Sequence, residues 1–364
     1  MLQAVPDRPV FAIERIFTLM KFPCIHNIIN SPRPSKRSGQ KPDRANFQIN
    51  AAALAATAAN PAPSSSNHSR PPLLSLNGQL CSIPSKNGFL CAYVKGQGKP
   101  LLLVHTVNAA ASAAEVRPIF DLMSQHRTVY AIDLPGYGTS ERSDRLYTPR
   151  LMTDAILDLS TYIRTQHSDQ PIDAMAASLS CEFLARAASE QPTTFNTLSL
   201  VSPTGMTGLK LRQAAEGTTY GQNWLWSTLK GPGWGRLLFK GLTRPGVIRY
   251  FLNKTWGSRA IDETMYEYAV WATRQPGAEH APLCFLSAQM FSADITTVYD
   301  RLRLPVWMSH GVRGDFVDYR GKERFTGRGN WRFTVFDSGA LPYFEDPRAF
   351  GKNMLEFMGS SVAM

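Results

Sequence analysis

The stretch Pro171–Arg186, PIDAMAASLSCEFLAR, decides how the rest of the chain is organised. An apolar run, Ile172–Met175, meets very small residues, and a helical pattern follows at once. This order predicts a buried strand, an abrupt turn at Ser178 and a helix, which together lift a serine hydroxyl out of a sheet edge. A second interpretation is an ordinary strand and helix with Ser178 as N-cap. On the helix, Glu182 and Arg186 are four residues apart and are predicted to pair.

Similar apolar runs on both sides of this stretch predict further strands. The runs alternate with helical patterns and short links, which favours one mostly parallel, right-handed α/β sheet with flanking helices. A continuous apolar run is typical of a parallel strand that is buried on both faces. The predicted strands are Leu80–Ile83, Phe89–Val94, Pro100–His105, Thr128–Asp133, Ile172–Met175, Thr197–Ser202, Pro305–His310 and Trp331–Phe336, and the predicted helices include Ala114–Ser124 and Pro347–Met358.

Residues 204–300 interrupt this alternation with a helical pattern. We therefore predict a helical cap inserted between two parts of one core, residues 77–203 and 301–364. Inserted helices of this kind lie over the carboxyl ends of the strands, where open α/β sheets bind ligands. The insert holds five of the seven tryptophans, of which most are expected in its core and one or two at a pocket: Trp224, Trp226, Trp234, Trp256 and Trp271.

Residues 1–76 differ in composition from the remainder. They carry nine Lys/Arg and three Asp/Glu, which is +6 of the total formal charge of +11. Proline, serine and alanine tracts bury too little apolar surface to offset the entropy of ordering, so we predict a largely disordered basic segment. It is either a targeting leader or a dispensable extension. We expect a cytoplasmic location, with an organellar one as the alternative.

Several classes of function find no support in the composition. The five cysteines form no C-x-x-C pair, which indicates neither a disulfide framework nor a metal site and favours a reducing compartment. No Lys/Arg block with interleaved aromatic residues suggests nucleic-acid binding. No glycine-rich nucleotide loop is present, so no cofactor is predicted. No apolar run reaches the roughly 18 residues of a membrane span.

Five segments in this order resemble the α/β-hydrolase family over about residues 77–360, and the expected relatives are lidded, esterase-like bacterial members. LLLVH resembles the strand before the oxyanion loop, DLPGYGTS resembles the turn D-x-x-G-x-G-x-S, and the stretch around Ser178 resembles a degenerate G-x-S-x-G elbow. PVWMSHGVRGDF resembles the strand that presents the acidic residue, and SGALPYFEDP resembles G-H-x-P-x-x-E-x-P.

The resemblance implies roles for particular residues. Ser178 would be the nucleophile and Asp315 the acid of a catalytic triad. The backbone N–H groups of Leu179 and Val107 would bind the oxyanion, with the side chain of Asn108 as an added donor. The family's histidine position, however, holds Ala340, and a serine without a positioned base is a poor nucleophile.

Other residues are candidates for the missing base. His310 ends the strand before the acid loop and is the base that we predict, with His105 as an alternative. Tyr343 lies three residues beyond Ala340, but an ordinary phenol is a poor base at neutral pH. The histidines outside the motifs are predicted to lie at the surface: His126, His167 and His280.

Two functions follow from this pattern. In the first, the chain is a serine hydrolase that cleaves an ester or related acyl bond of a small apolar substrate with a degenerate triad. In the second, the hydrolytic machinery is inactive and the pocket binds a small hydrophobic ligand without turnover. The partner is a small apolar molecule in both, and the fold alone does not choose between them.

Overall fold

The computed structural model describes residues 75–208, 214–231, 233–313 and 318–360. The predicted basic segment 1–76 therefore lies outside the described residues, except for its last two. The predicted catalytic acid, Asp315, also lies outside them. Its role stays a prediction in everything that follows.

The described residues form one eight-stranded sheet in the order β1-β2-β4-β3-β5-β6-β7-β8. The first two strands are antiparallel additions at one edge, and the pairs from β4 to β8 are parallel, as the alternating pattern predicts. β5 has three strands on one side and four on the other, so it lies within the sheet. The strands are β1 Gln79–Ser85, β2 Gly88–Lys95, β3 Pro100–Val104, β4 Thr128–Asp133, β5 Ile172–Ala177, β6 Phe195–Val201, β7 Val306–Gly311 and β8 Trp331–Phe336.

Helices cover both faces of the sheet, and each face has its own apolar core. Helices α2, α3 and α9 pack on one face, whereas α1, α7 and α11 pack on the other. The helices are α1 Arg117–Met123, α2 Pro149–Gln166, α3 Ser180–Glu190, α4 Asn223–Lys230, α5 Trp234–Leu242, α6 Pro245–Trp256, α7 Glu263–Ala272, α8 His280–Leu286, α9 Ile295–Arg301, α10 Pro342–Glu345 and α11 Pro347–Ser360. The first predicted helix begins instead as a 3₁₀ turn, Ala113–Val116.

Helices α4 to α8, here called the cap helices, follow β6 and precede α9 and β7, at the chain position of the predicted insert. The prediction for their tryptophans is confirmed for the core, where Trp226, Trp256 and Trp271 pack, and is wrong for the pocket. Trp224 and Trp234 are 68% and 72% exposed, and only Trp256 is buried. Rings of phenylalanine and tyrosine line the cavity described below, and no tryptophan does. Within the described residues, no helix is both long and apolar enough to cross a membrane.

Candidate active site

The site begins at the junction between β5 and α3. Ser178 follows the strand directly and has φ +54°, a left-handed conformation that costs energy for any residue with a Cβ. Its N–H donates to the carbonyl of Val201 in the neighbouring strand at 2.8 Å, which fixes the turn in the sheet. The N-cap of α3 is Leu179, without a side-chain cap bond, so the interpretation of Ser178 as a capping residue is wrong.

Small residues make this tight turn sterically accessible. Ala176, Ala177 and Ser180 are fully buried around Ser178, where larger side chains would meet the neighbouring strands. The thiol of Cys181 donates to the Ala176 carbonyl at 3.1 Å and packs beneath the turn. Ser178 itself remains partly exposed.

The exposed part of Ser178 lines a cavity of about 270 Å³. The cavity brings together Ser178, the three predicted oxyanion residues Leu179, Val107 and Asn108, and Ala340. The rest of its wall is mainly apolar and comes largely from the cap helices. Among its apolar members are Leu242, Ile248, Phe251, Leu252, Met265, Ala269, Phe285, Leu286, Phe291, Leu341 and Phe344.

Two backbone donors remain available beside the serine. Among the described residues, no protein acceptor takes the N–H of Leu179 or of Val107. Both residues line the cavity, so their N–H groups are the backbone donors that could serve an oxyanion hole there. The amide of Asn108, by contrast, is already engaged. It donates to Glu115 at 2.7 Å and to the Thr106 hydroxyl at 2.9 Å.

Glu115 is a site residue that the sequence analysis missed. It is 7% exposed, lines the cavity, and accepts hydrogen bonds from Asn108 and from the Thr106 N–H at 2.9 Å. No Lys, Arg or His is among the residues that line the cavity, so its carboxylate is the charged group of that wall. An acidic residue a few positions beyond the oxyanion loop is the signal that could have identified it.

Ala340 occupies a wall position whose backbone is held firmly. Its N–H donates to the Thr255 carbonyl at 3.0 Å, and its carbonyl accepts from the Ser202 hydroxyl. Gly339, the preceding residue, packs closely against α6. A Cβ at Gly339 would lie 2.5 Å from the Trp256 carbonyl oxygen. A methyl group therefore faces the cavity where the resemblance implies an imidazole.

His310, the predicted base, has both ring nitrogens engaged away from Ser178. Nδ1 lies 3.0 Å from the Gly311 carbonyl oxygen, and Nε2 lies 2.9 Å from the ammonium of Lys322. The ring of His310 stacks on Tyr319. Tyr319 lines the cavity, whereas His310 does not. Burial lowers the pKa of His310, and the Lys322 charge lowers it as well. This geometry gives His310 no contact with the serine.

The other candidate bases are also engaged or remote. His105 is fully buried, with Nδ1 2.6 Å from the Thr106 carbonyl oxygen and Nε2 accepting from the Leu134 N–H at 3.0 Å. Burial holds the pKa of Tyr343 well above its usual range, with the Glu115 charge acting in the same direction. Of the surface predictions, His126 is exposed, whereas the other two are half-buried: His167 and His280.

The fold and this geometry agree with the comparisons. Residues 99–233 match a family model described as alpha/beta hydrolase fold. The chain has the α/β-hydrolase fold. The matched region contains the oxyanion loop, Ser178 and the first cap helix, α4. No curated protein matches the chain by sequence.

Several solved α/β hydrolases have a similar structure at low sequence identity. They include the enol-lactonase from Burkholderia xenovorans LB400 (14% identity, 77% of this chain and 100% of that one, TM-score 0.59). The 2-hydroxy-6-oxo-6-phenylhexa-2,4-dienoate hydrolase from Rhodococcus sp. strain RHA1 is 17% identical (77% and 99%, 0.60). Carboxylesterase CesB from Bacillus subtilis is 13% identical (79% and 93%, 0.58). These similarities establish the fold and leave the reaction open.

A buried acid lies one helical turn beyond Ser178. Glu182 does not pair with Arg186 as predicted, because the guanidinium forms a two-pronged ion pair with Asp294, with Nη2 2.6 Å from Oδ1. Glu182 instead accepts from the Thr204 hydroxyl and, at 2.8 Å, from the Ser292 N–H. Burial raises the pKa of Glu182 to about 7, although these hydrogen bonds lower it.

Replacing this acid is expected to change how stability depends on pH. A carboxyl whose pKa is raised on folding favours the folded state at low pH, and that contribution is lost as pH rises from about 4.5 towards 7. Between pH 4.5 and 8, the free energy of unfolding of the parent should therefore fall by up to about 3 kcal/mol more than that of Glu182→Gln. Urea unfolding at both pH values measures this. Glu267→Gln, an exposed acid on α7, should behave like the parent; equal pH dependence in the Glu182 and Glu267 variants would contradict the assignment.

Proposed function

We propose that this α/β-hydrolase-fold protein is a serine hydrolase that cleaves an ester or related acyl bond of a small, mainly apolar substrate. The main support is the conformation and place of Ser178. It is held at φ +54° and lines a cavity that Leu179 and Val107 also line. A strained non-glycine residue persists only where its surroundings enforce it, and such strain is typical of functional sites. The mainly apolar wall of the cavity favours a small apolar substrate.

In the proposed reaction, the Ser178 oxygen attacks the substrate carbonyl carbon while its own proton leaves. The oxygen that becomes negative accepts hydrogen bonds from the N–H groups of Leu179 and Val107. Of the residues that the structure describes, the one acidic residue that lines the cavity is Glu115, and in this proposal its carboxylate takes the proton directly or through one water. That proton then goes to the departing alcohol, and water hydrolyses the acyl-enzyme. His310 as base is the weaker alternative, since its nitrogens contact Gly311 and Lys322.

The charge of Glu115 narrows the substrate class. A second carboxylate inside a cavity without a lining cation would be repelled by several kcal/mol at the effective dielectric of protein sites, of order 4 kcal/mol at 4 Å. The substrate is therefore neutral or cationic. A hydroxyl or ammonium group on it would find a hydrogen-bond acceptor in Glu115, which already accepts from Thr106 and Asn108.

A second candidate is a binding protein that holds such a molecule without turnover. Two observations favour it. Ala340 stands where the resemblance implies a histidine, and the Asn108 amide, which the resemblance makes an added oxyanion donor, already donates to Glu115. A negative charge beside the oxyanion hole also opposes the charge that develops during acyl transfer.

Covalent labelling separates the two candidates. A fluorophosphonate probe should add once to the protein, as measured by intact mass, and Ser178→Ala should lose the adduct completely. Ser202→Ala is the matched control, because Ser202 lines the same cavity with φ +50° but its hydroxyl is donated to the Ala340 carbonyl. The control should label like the parent. An unlabelled parent that small neutral apolar esters nevertheless stabilise against heating would reject the hydrolase and support the binding protein.

A further inference from the structure

The outer surface of two cap helices carries large apolar side chains in water. On α4, Trp224 is 68% exposed, and on α5, Trp234 and Leu237 are 72% and 64% exposed. Within the described residues these are the three most exposed large hydrophobic side chains, since the next, Val312, is 59% exposed. We name the surface formed by Trp224, Trp234 and Leu237 the tryptophan face. Exposed apolar groups on adjacent elements mark interaction sites more often than chance exposure does.

The two helices present this face in one direction. Both bury their opposite sides in the same small core, where Leu225 and Leu229 of α4 and Leu242 of α5 meet Leu283 and Leu286 of α8. Since α4 and α5 lie on a common support, their outward sides point away from it together. The three residues of the tryptophan face therefore lie on the outer sides of the two helices, and none of them lines the cavity.

The chain segment that carries this face is basic. Residues 217–261 contain seven Lys/Arg and no Asp/Glu. Lys240 and Arg244 are exposed near Leu237, and neither has an ion pair in the described part of the chain. Two neighbouring cations have acidic partners at the surface, Lys230 with Asp144 at 3.5 Å and Arg236 with Glu279 at 3.1 Å. Exposed pairs of this kind are weak and leave the surface available to other anions.

We propose that the tryptophan face docks onto an anionic lipid membrane. Tryptophan settles at the level of the lipid headgroups, with its ring in the apolar boundary and its N–H in the polar layer. A helix with tryptophan and leucine on one side and Lys/Arg at the edges lies in that interface, and each cation adds attraction to anionic lipids.

Charge complementarity favours an anionic membrane over two other partners that could cover this face, the segment 1–76 and a second copy of the chain. The basic segment 1–76 carries +6, and a second copy would present the same basic face, so both would be repelled. A nucleic acid shares the required charge but has no apolar layer to accept Leu237, and it is kept as an outcome of the test.

This location has a consequence for the cavity. Leu242 of α5 and Ile248 of α6 line it, so the helix that meets the membrane also forms part of the cavity wall. The docking itself does not depend on the proposed hydrolase activity.

Co-sedimentation with vesicles tests the proposal on the full chain. The protein should bind vesicles of phosphatidylcholine with about 30% phosphatidylglycerol, and binding to phosphatidylcholine alone should be at least about tenfold weaker. Trp224→Ser combined with Trp234→Ser should reduce the partition coefficient about tenfold or more, and Lys240→Glu combined with Arg244→Glu should do the same. Both pairs of residues are exposed, so the fold should survive, which near-ultraviolet circular dichroism checks.

Matched controls separate the face from general charge and hydrophobicity. Phe89→Ser changes an exposed ring on β2, and Lys352→Glu reverses an exposed charge on α11. Both should bind as the parent does. Unaltered vesicle binding by the double tryptophan variant would overturn the proposal and point to the basic segment 1–76. If equimolar duplex DNA displaces the parent protein from vesicles but does not displace the double tryptophan variant, the face binds nucleic acid and the proposal is overturned.

Discussion

Ala340→His is expected to raise the hydrolysis of p-nitrophenyl butyrate, measured as kcat/KM, by about 100-fold or more. The position lines the cavity with Ser178, and its backbone is fixed by bonds to Thr255 and Ser202. An imidazole placed there would supply a stronger base than the Glu115 carboxylate, which takes the Ser178 proton in the proposed reaction. Positioned general bases typically contribute about 10²- to 10⁴-fold.

Three further variants make this result interpretable. Ala340→Asn adds a side chain of similar reach without a base and should show no gain. Ser178→Ala in the Ala340→His background should abolish the gain. Asp315→Asn in that background should reduce it if Asp315 orients the imidazole, which tests that predicted role. A correctly folded Ala340→His protein without any gain in turnover would show that an imidazole at this position does not reach the Ser178 hydroxyl.

Gly138→Ala is expected to reduce the free energy of unfolding by about 3 kcal/mol or more. Gly138 has φ +51°, and a Cβ there would lie 1.9 Å from Cγ of Asp133. The Asp133 carboxylate is fully buried and accepts from the N–H groups of Ala113 and Thr139, at 2.7 and 2.8 Å, and from the Thr139 hydroxyl. Moving it would leave a buried charge without its donors, which is among the costliest local changes.

Two other glycines separate the steric effect from the backbone effect. Gly208 has φ +67° with open space around it, so Gly208→Ala should cost only about 1 kcal/mol. Gly241 lies in α5 with nothing within 4 Å, and Gly241→Ala should be neutral or slightly stabilising. Urea unfolding measures all three. Equal losses for Gly138→Ala and Gly208→Ala would mean that the Asp133 carboxylate moves away without cost.

The resemblance to the family was predictable from local patterns. Apolar runs and the order of helices and strands identified the α/β sheet, and small residues around Ser178 indicated the tight turn. Both signals are local, because strand burial and turn sterics depend mainly on neighbouring residues. The same applies to the turn containing Gly138, where the glycine is required by a positive φ and by the adjacent Asp133.

The partners of the polar side chains were not predictable in the same way. Glu182 and Arg186 have the spacing of a helix pair, yet each is buried against a different segment that follows β6, through Thr204, Ser292 and Asp294. A buried polar group takes the donor or acceptor that the fold brings nearest, since leaving it unpaired is costly. Sequence spacing predicts such a pair only for residues that stay in solvent.

The sequence by itself therefore determined the fold and the position of Ser178 in the sheet, and the resemblance predicted that Ala340 stands where the family has its histidine. Only the tertiary structure decided that Glu115 joins the cavity, that Lys322 and Tyr319 hold His310 away from it, and that Trp224 and Trp234 face water. The physical reason is the range of the interactions. Backbone conformation and strand burial follow from neighbours in sequence, whereas the surroundings of a side chain are set by segments that are distant in sequence.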